Sequence, residues 1–409
     1  MRRSAFLAVA LTLGGSAGAG AAGPLRLEDA LTRAHDGNPT LHAAAADVAA
    51  ARARLRQARL LPANPVLSAE VARHTGPGSE EQIDRGVSLG QEIEVGGQRG
   101  LRAEAAARDV TRAEQALADR RRTVDAEVRR AFFGVAADEQ LVALARERVA
   151  LAERLADTAR RRAGAGEVGA LDAQLAGVEA ARAAQALAAA ETTRAAELLQ
   201  LGAALGAGPD ESLTVATEEV APVPIAGEAV LVSRALNARP DLAAARAERA
   251  RLEAEAALVH RSGIVPNPTV RAFYRAELLD EHIAGGEISV ALPVWNREQG
   301  TEVALREQAA AAGAETDRIA LEIPRQVHLA LVRRAAAAAT WERYRREALP
   351  AASTARAELE RAYSGGYLGL ADVLVQEDRL LQARSGSIEA WRDVHVADAD
   401  LIEAVAETP

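Results

Sequence analysis

Cysteine is absent from this chain of 409 residues, and methionine occurs once, at position 1. The lack of cysteine excludes disulfide bonds, thiolate metal sites and a lipid-anchored N-terminal cysteine. With a single methionine there is also no ladder of thioether ligands for copper. Aromatic residues make up only 3% of the chain, and every basic residue is arginine.

The motifs of common enzyme and cofactor sites are missing as well. The chain has no Gly-x-Ser-x-Gly elbow, no P-loop and no metal-hydrolase signature. Its seven histidines are scattered at positions 35, 42, 74, 260, 282, 328 and 395. Only those at 35 and 42 are near each other, on a helix interrupted by Pro39. We therefore expect no catalytic residue, no resident metal and no cofactor. The net charge of −9 argues against a nucleic-acid partner.

Long apolar runs are missing beyond the N-terminal residues, so no transmembrane helix is predicted in the mature chain. The N-terminus has the pattern of a secretory signal, with Arg2 and Arg3 before an apolar run at 5–13 and a small-residue site at 19–21. We assign residues 1–21 to a signal peptide. The exported chain is then either periplasmic or inserted in a membrane through β-strands, whose sequence signal is weak.

What the sequence does contain is an internal duplication with a spacing of 200 to 203 residues. The first copy carries the landmarks Asn38-Pro39, Asn64-Pro65, Val87-Ser88-Leu89 and Gly166-x-x-Gly169-x-x-Asp172. The second carries Arg239-Pro240, Asn267-Pro268, Ile288-Ser289-Val290 and Gly366-x-x-Gly369-x-x-Asp372. Four matched landmarks in one order indicate a duplicated structural unit.

Each copy is predicted to hold two short strands followed by a long helical hairpin. The first repeat, 22–208, has strands at about 66–74 and 86–95 and helices at about 97–162 and 169–205. A linker at 209–227 leads to the second repeat, 228–409, with strands at about 269–277 and 287–294 and helices at about 298–363 and 369–405. Since no proline occurs between Gly100 and Gly164, that helix would extend roughly 96 Å, and such a rod needs neighbours to pack against.

The strands alternate between apolar and polar residues. Val87, Leu89, Ile93 and Val95 share one side, while serine, glycine and glutamate residues take the other. The second copy repeats the pattern from Ile288 to Val294, with Trp295 just beyond, where an interfacial aromatic would lie. In the strand before it, Phe273 lies on the face of two arginines, at 271 and 275. Four strands cannot close a barrel alone.

The long helices carry further signals. In the last helix Leu374, Leu381 and Ile388 recur every seven residues, which is typical of a left-handed coiled coil. Pro324 and Pro350 lie within the second ascending helix, where each is expected to kink the helix or remove a backbone bond. The first copy has no counterpart to either proline.

This order of elements resembles the TolC-like outer-membrane efflux factors over essentially the whole mature chain. The residues that carry the resemblance are 27–31 (Leu-Glu-Asp-Ala-Leu) with Asn38-Pro39, the segment 91–100 (Gln-Glu-Ile-Glu-Val-Gly-Gly-Gln-Arg-Gly) and the hairpin turns at Gly166 and Gly366. The segment 91–97 is similar to the CzcC-type branch, which serves cobalt, zinc and cadmium efflux.

The resemblance implies a mainly α-helical chain with a small β part that forms a homotrimer. Three chains would supply four strands each to a twelve-stranded outer-membrane β-barrel, above a periplasmic α-helical barrel. The partners implied are outer-membrane lipid, a periplasmic adaptor of the membrane fusion class and an inner-membrane RND pump. Metal specificity would then reside in the pump and the adaptor.

The two hairpin turns would form the periplasmic tip. We predict that the adaptor docks on the matched turn residues Gly166, Val168, Gly169, Gly366, Leu368 and Gly369, because the duplication preserves Gly-x-x-Gly. The alternative is that these are ordinary helix-connecting turns with incidental apolar residues. By resemblance, Asp372 would form an acidic ring that narrows the closed entrance, and Tyr363 would bond to Asp172. Asp172 and Asp372 could equally serve only to stabilise helix N-termini. The second acidic position of the family's ring is Val375 here, which would weaken the ring.

The sequence leaves the function open between an outer-membrane exit duct for heavy-metal cations and one for drugs or other organic compounds. A third alternative, from a different class, is a soluble periplasmic coiled-coil scaffold or adaptor without a pore. Such an adaptor would have one hairpin flanked by compact β domains, whereas this chain has two hairpins and alternating strands.

Overall fold

A computed structural model of the chain describes residues 24–74, 82–216, 226–277, 281–364, 367 and 370–406. Within these ranges the chain is mainly helical and has one small antiparallel sheet, as the sequence predicts. The predicted signal peptide and the three turn residues Gly366, Leu368 and Gly369 lie outside the described residues.

The first repeat begins with two short helices and a strand pair, and continues into the long hairpin. Its elements are α1 (Leu27–Gly37), α2 (Pro39–Ala58), β1 (Val66–His74), β2 (Gln82–Glu92), α3 (Gln98–Gly164) and α4 (Ala170–Leu205). At 67 residues α3 extends about 100 Å, at 1.5 Å per residue. The connection that follows α4 forms a parallel bridge between Val215 and Leu25, which ties it to the start of the repeat.

The second repeat has the same order with one interruption. Its elements are α5 (Glu228–Ala238), α6 (Pro240–Ile264), β3 (Pro268–Glu277), β4 (Glu281–Val290), α7 (Gln299–Arg343), a π-helical turn (Tyr344–Ala348), α8 (Leu349–Ser364) and α9 (Leu370–Val405). Helix α7 continues through Pro324, which has no N–H to donate to the preceding turn. The break occurs instead next to Pro350, the second residue of α8.

The four strands form one antiparallel sheet in the order β1-β2-β3-β4. The two middle strands, β2 and β3, come from different repeats, so the sheet joins the two halves of the chain. Within the described residues, β1 and β4 pair on one side only.

The strand limits differ from those that alternation predicted. β2 begins at Gln82 rather than near 86, and β4 at Glu281 rather than near 287, because backbone pairing continues towards the hairpin loops through polar residues. At the other end β2 stops at Glu92 instead of 95, and β4 stops at Val290 instead of 294. For β2 the cause is Pro268, the first residue of β3, which accepts a last bond from Ile93 but has no N–H to return.

Each repeat has its own small apolar core, and matched positions build both cores. Ala34, Leu41, Leu201 and Leu205 are buried in the first, and Ala235, Leu242, Leu401 and Val405 are buried in the second. A fully buried leucine contributes about 1.5–3 kcal/mol relative to an exposed one. These cores hold the short helices α1 and α5 against the middle of the ascending helices α3 and α7 and against the last turns of the descending helices α4 and α9.

The residue before each helix-starting proline ties its repeat together. Asn38, 4% exposed, caps α2 by accepting a bond from the Thr40 N–H at 2.8 Å, and it donates to the carbonyl of Ala204 at 2.8 Å. Arg239, 6% exposed, reaches the matched carbonyl of Ala404 at 3.4 Å. An asparagine and an arginine therefore perform the same task in the two copies.

The corner between β2 and α3 is held by the segment that carries the family resemblance. The Gln98 side chain accepts a bond from the Gly96 N–H at 2.8 Å and donates to the Val265 carbonyl, also at 2.8 Å. Gly97 between them has φ +77°. In the second copy Gln299 accepts from the Arg297 N–H at 2.8 Å, and Glu298 occupies the same left-handed conformation at φ +59°.

These matched corners predict opposite effects of two substitutions. Gly97→Ala should lower the free energy of unfolding by about 1–2 kcal/mol, because a Cβ disfavours left-handed backbone. A Cβ at 97 would meet no atom within 4 Å, so the effect is purely conformational. Glu298→Gly should raise the free energy of unfolding, because glycine adopts the left-handed conformation without strain. The gain should be smaller than the loss in Gly97→Ala, since the substitution also removes the bond from the Thr301 hydroxyl to Glu298. Urea unfolding followed by circular dichroism measures both, and changes of the same sign would contradict this account.

No helix in the described part of the chain is both long and apolar enough to cross a membrane.

Candidate functional site

The tip of the first hairpin is a tight helix end. After α3, the Glu167 N–H donates to the Arg162 carbonyl at 2.9 Å, and the Gly166 N–H to the Ala163 carbonyl at 3.1 Å. Gly166 has φ +76°, which a residue with a Cβ adopts only at a cost. This combination is the glycine-based helix ending known as the Schellman motif, and residues 165–169 form the turn between α3 and α4.

The tip of the second hairpin has a backbone hydrogen bond that matches the Glu167–Arg162 bond of the first tip. The Tyr367 N–H donates to the Ala362 carbonyl at 2.9 Å, the same length as its counterpart 200 residues earlier. Tyr367 is 86% exposed. The duplication therefore extends to the backbone hydrogen bonding of the two turns.

The predicted site residues at the tips are accessible where the structure describes them. Gly166 and Gly169 are exposed, Val168 is half-buried, and Asp172 is half-buried in the first turn of α4. Asp372 is exposed in the first turn of α9. The backbone of Tyr363 lies in α8, but its side chain lies outside what the structure describes, so its contact with Asp172 stays a prediction.

An apolar stripe on α4, which the sequence pattern did not single out, continues from the first tip. Leu171, Leu175 and Val178 are all exposed and follow each other at helical spacing, so they share one face. The signal was present as an i, i+4, i+7 pattern. It is easily overlooked because alanine-rich helices offer several faces of similar hydropathy.

The sequence patterns also did not indicate the ion pairs that connect the two repeats. Arg148 on α3 binds Glu179 on α4 at 2.8 Å and Asp378 on α9 at 3.2 Å, and its neighbour Glu147 binds Arg384 on α9 at 2.6 Å. We name this group the inter-repeat clamp. No spacing rule could find it, because Arg148 and Asp378 are 230 residues apart in sequence.

Carboxyl groups with a raised pKa lie near the first core, away from the tips. Burial raises the pKa of Asp138, while the charge of Arg392 opposes this shift. Burial also raises the pKa of Glu197, with added repulsion from Asp138. Among the residues that the structure describes, no group of three histidine, cysteine or acidic side chains is arranged to hold a metal ion.

The sheet has two chemically different faces. The strand register places an apolar set on one side, and all of these side chains are exposed in the single chain: Leu67, Val71, Val87, Leu89, Val270, Tyr274, Ile288 and Val290. The opposite side carries Ser68, Glu70, Asp84, Ser88, Arg271, Arg275 and Glu287. On that polar side Phe273 lies over Gly285, with the Arg275 guanidinium 5.3 Å from its ring centre. The shared face of Phe273 and the arginines at 271 and 275 is as predicted.

The apolar row continues past the paired strands. Ile93 and Val95 after β2, and Leu292 and Val294 after β4, keep the alternation and are exposed. Trp295 follows at 89% exposure. An unpartnered apolar face of this size requires an apolar environment or a partner.

Comparison with known proteins adds a family and a fold. The family model described as outer membrane efflux protein matches residues 30–207. The cobalt-zinc-cadmium resistance protein CzcC of Cupriavidus metallidurans is 30% identical to the chain over 367 residues, which are 89% of this chain and 86% of that protein.

Solved structures share the architecture at lower identity. The outer-membrane channel OprN has a TM-score of 0.76 at 18% identity, over 93% of this chain and 89% of its own. CusC, described in crystal structures concerned with folding and transmembrane channel formation, has a TM-score of 0.75 at 15% identity, over 93% and 91%. At these identities the likeness establishes the fold.

Proposed function

Because this chain belongs to the outer membrane efflux protein family, whose members are channels and not enzymes, we propose that it is the exit duct of a tripartite efflux system for heavy-metal cations. The family resemblance read from the sequence is thereby confirmed. The protein is an outer-membrane efflux channel with a long periplasmic helical part. The trimer, the partner proteins and the cation substrate belong to the proposal.

The observation that carries the proposal is the exposed apolar face of the sheet. The four strands β1 to β4 have 9, 11, 10 and 10 residues. These are the 9–11 residues with which a strand tilted by about 45° crosses the apolar part of a bilayer. A soluble scaffold without a pore would have no use for such a face.

The free edges of the sheet support a homotrimer. Unpaired backbone groups along β1 and β4 cannot remain unsatisfied in lipid, so each edge requires a strand from another chain. Three copies that pair β4 of one chain with β1 of the next would close a barrel of twelve strands. The polar face, with Arg271 and Glu287, would line its interior.

The hairpin tips fit a partner from the periplasm. In the assembly the exposed turn at Gly166 to Gly169 and the stripe Leu171, Leu175 and Val178 offer an apolar surface for the helical hairpin of an adaptor. The matched turn at Gly366, Leu368 and Gly369 would supply the second contact. An inner-membrane RND pump would complete the tripartite system.

The proposal includes a gate at the tips, and the exposure of Asp372 in the first turn of α9 supports it. Three copies of an exposed carboxylate at the narrow end of a duct would form a ring that attracts cations. Asp172 and Tyr363 would hold the closed arrangement. In this scheme an adaptor shifts the population from closed to open tips.

Asp372→Asn is expected to weaken block of the conducting protein by multivalent cations in planar bilayers, because three negative charges leave the entrance. Glu377→Gln is the matched control, since five residues along α9 turn its side chain away from the Asp372 side. If Asp372→Asn leaves the blocking concentration unchanged, or Glu377→Gln alters it equally, the ring does not exist.

The substrate is tested in cells that lack the protein. We expect increased sensitivity to zinc, cobalt or cadmium, with restoration by the intact gene, because the relative named for these ions is similar along nearly the full chain. Sensitivity to antibiotics and dyes without any change for metals would assign the duct to organic compounds instead.

A further inference from the structure

Three large side chains alternate along the polar face of β3, and each of them is paired with a glycine of a neighbouring strand. The pairs in the strand register are Arg271 with Gly90, Phe273 with Gly285, and Arg275 with Gly86. Side chains in a sheet normally stand roughly perpendicular to it. A glycine has no side chain and leaves a recess in the surface, so a neighbouring side chain can lie along the sheet there.

The Phe273 ring occupies the recess at Gly285. A Cβ built on Gly285 would lie 2.6 Å from Cζ of Phe273 and 3.1 Å from its Cε1, which is closer than two such carbon atoms can approach. Gly285 is half-buried, whereas every other residue of β4 is exposed. Phe273 is likewise half-buried between exposed neighbours on β3. The ring therefore lies flat on the sheet and covers the glycine.

The two arginines are also directed along the sheet. Arg275 extends across Gly86 to the Glu70 carboxylate on β1, at 3.8 Å, and a Cβ at Gly86 would lie 3.3 Å from its Cγ. Arg271 pairs with Glu287 on β4 at 3.4 Å. Such exposed ion pairs contribute little to the free energy of unfolding. Their effect is on direction, because they hold the guanidinium groups close to the sheet.

Phe273 is the one large side chain in its row across the sheet. The other members of the row are Ser68, Ser88 and Gly285. In the proposed trimer twelve strands, about 4.8 Å apart and tilted by about 40°, would form a barrel with roughly 24 Å between opposite backbones. Three phenylalanine rings that stood upright would fill much of this lumen, whereas three flat rings leave it open.

We infer that Gly285 positions the Phe273 ring against the barrel wall, and that this position determines the largest solute that the membrane part of the duct can pass. Gly285 acts through the ring and is a positioning residue. The inference rests on the proposed function, because the polar face lines a lumen only in the assembled barrel. An aromatic ring over a glycine also stabilises a sheet. That role alone would affect assembly and leave the width of the lumen unchanged.

The absence of cysteine allows a test by size-limited labelling. Ser289→Cys places one thiol per chain on the polar face of β4, four residues nearer the helices than Gly285. Maleimide reagents with polyethylene glycol chains of graded size are added outside intact cells, and gel shifts give the largest reagent that reacts. Adding Gly285→Ala should lower this limit by at least one step of the series, because its methyl group displaces the Phe273 ring into the lumen.

Two further variants separate the ring from the methyl group. In the Ser289→Cys background, Gly285→Ala with Phe273→Ala should restore the parent limit, since no ring remains to be displaced. Gly286→Ala is the matched control, because a Cβ there would meet only the Arg271 carbonyl oxygen, at an ordinary contact distance of 3.7 Å. An unchanged limit in Gly285→Ala, or a limit that the double substitution fails to restore, would overturn the inference.

Two readouts distinguish this failure from a failure of the proposed function. The amount of heat-labile trimer on gels shows whether each variant assembles, so a lower limit counts only where assembly equals that of the parent. Leu89→Cys places the thiol on the apolar face and should remain unlabelled in lipid. If Leu89→Cys reacts as readily as Ser289→Cys, the sheet forms no barrel in the membrane, and the proposed function fails with the inference. If only Ser289→Cys reacts but Gly285→Ala has no effect, the inference alone fails.

Discussion

Leu89→Arg is expected to abolish assembly of the protein in the outer membrane. Leu89 is 53% exposed on the apolar face of the sheet, and in a central strand. An arginine facing lipid near the middle of a bilayer costs about 2–4 kcal/mol, and a trimer would incur that cost three times. The measurement is the amount of protein recovered from outer-membrane fractions, and its migration on gels as a heat-labile trimer.

Ser88→Arg is the matched control, because Ser88 is adjacent in sequence and lies on the opposite face of the same strand. Its neighbours across the sheet already include charged residues, so assembly should remain close to that of the parent. Equal loss of assembly in both variants would show that the strand tolerates no bulk at all. Normal assembly of Leu89→Arg would contradict the assignment of this face to lipid.

Arg239→Ala is expected to lower the free energy of unfolding by about 3–5 kcal/mol, the usual result of removing one partner from a buried ion pair. The Arg239 guanidinium binds Asp241 at 2.6 Å and the Gln326 side chain at 2.6 Å. Its removal leaves the Asp241 carboxylate with the Leu242 N–H as its hydrogen-bond donor and frees the carbonyl of Ala404 at the end of α9. Urea unfolding at neutral pH measures the loss.

The pH dependence of that loss has a defined sign. Burial alone would raise the pKa of Asp241, but the hydrogen bonds and charge of Arg239 outweigh it and hold the pKa below its usual value. The pair therefore stabilises the fold above the unfolded carboxyl pKa of about 3.9, and this contribution is lost as the pH falls through the folded pKa. We expect the difference between parent and Arg239→Ala to shrink below about pH 4.

Arg249→Ala provides the control for charge removal. Arg249 pairs with Glu253 one helical turn away, with both side chains more than half exposed. Such exposed ion pairs contribute little to the free energy of unfolding. A loss as large as that of Arg239→Ala would show that the helices depend on arginine charge in general, and not on the buried contact.

Local patterns in the sequence determine much of this protein. The long helices, the polar and apolar faces of the strands and the glycine turns all depend on residues within a few positions of one another, and the duplication repeats these local patterns about 200 residues later. Apolar residues that recur with a period of two residues indicate a strand, and those that recur with a period of 3.6 residues indicate a helix. The family followed from segment 91–100, whose Gln98 side chain in fact closes a corner.

Only the tertiary structure decided the contacts between residues about 200 positions apart. Neither the pairing of β2 with β3 nor the clamp from Arg148 to Asp378 has a signature in sequence spacing. The two prolines of the second ascending helix also behave differently, since α7 continues through Pro324 whereas a π-helical turn precedes Pro350. The reason is physical: a single sequence records which face a residue prefers, but the neighbour on that face is chosen by how the whole chain packs.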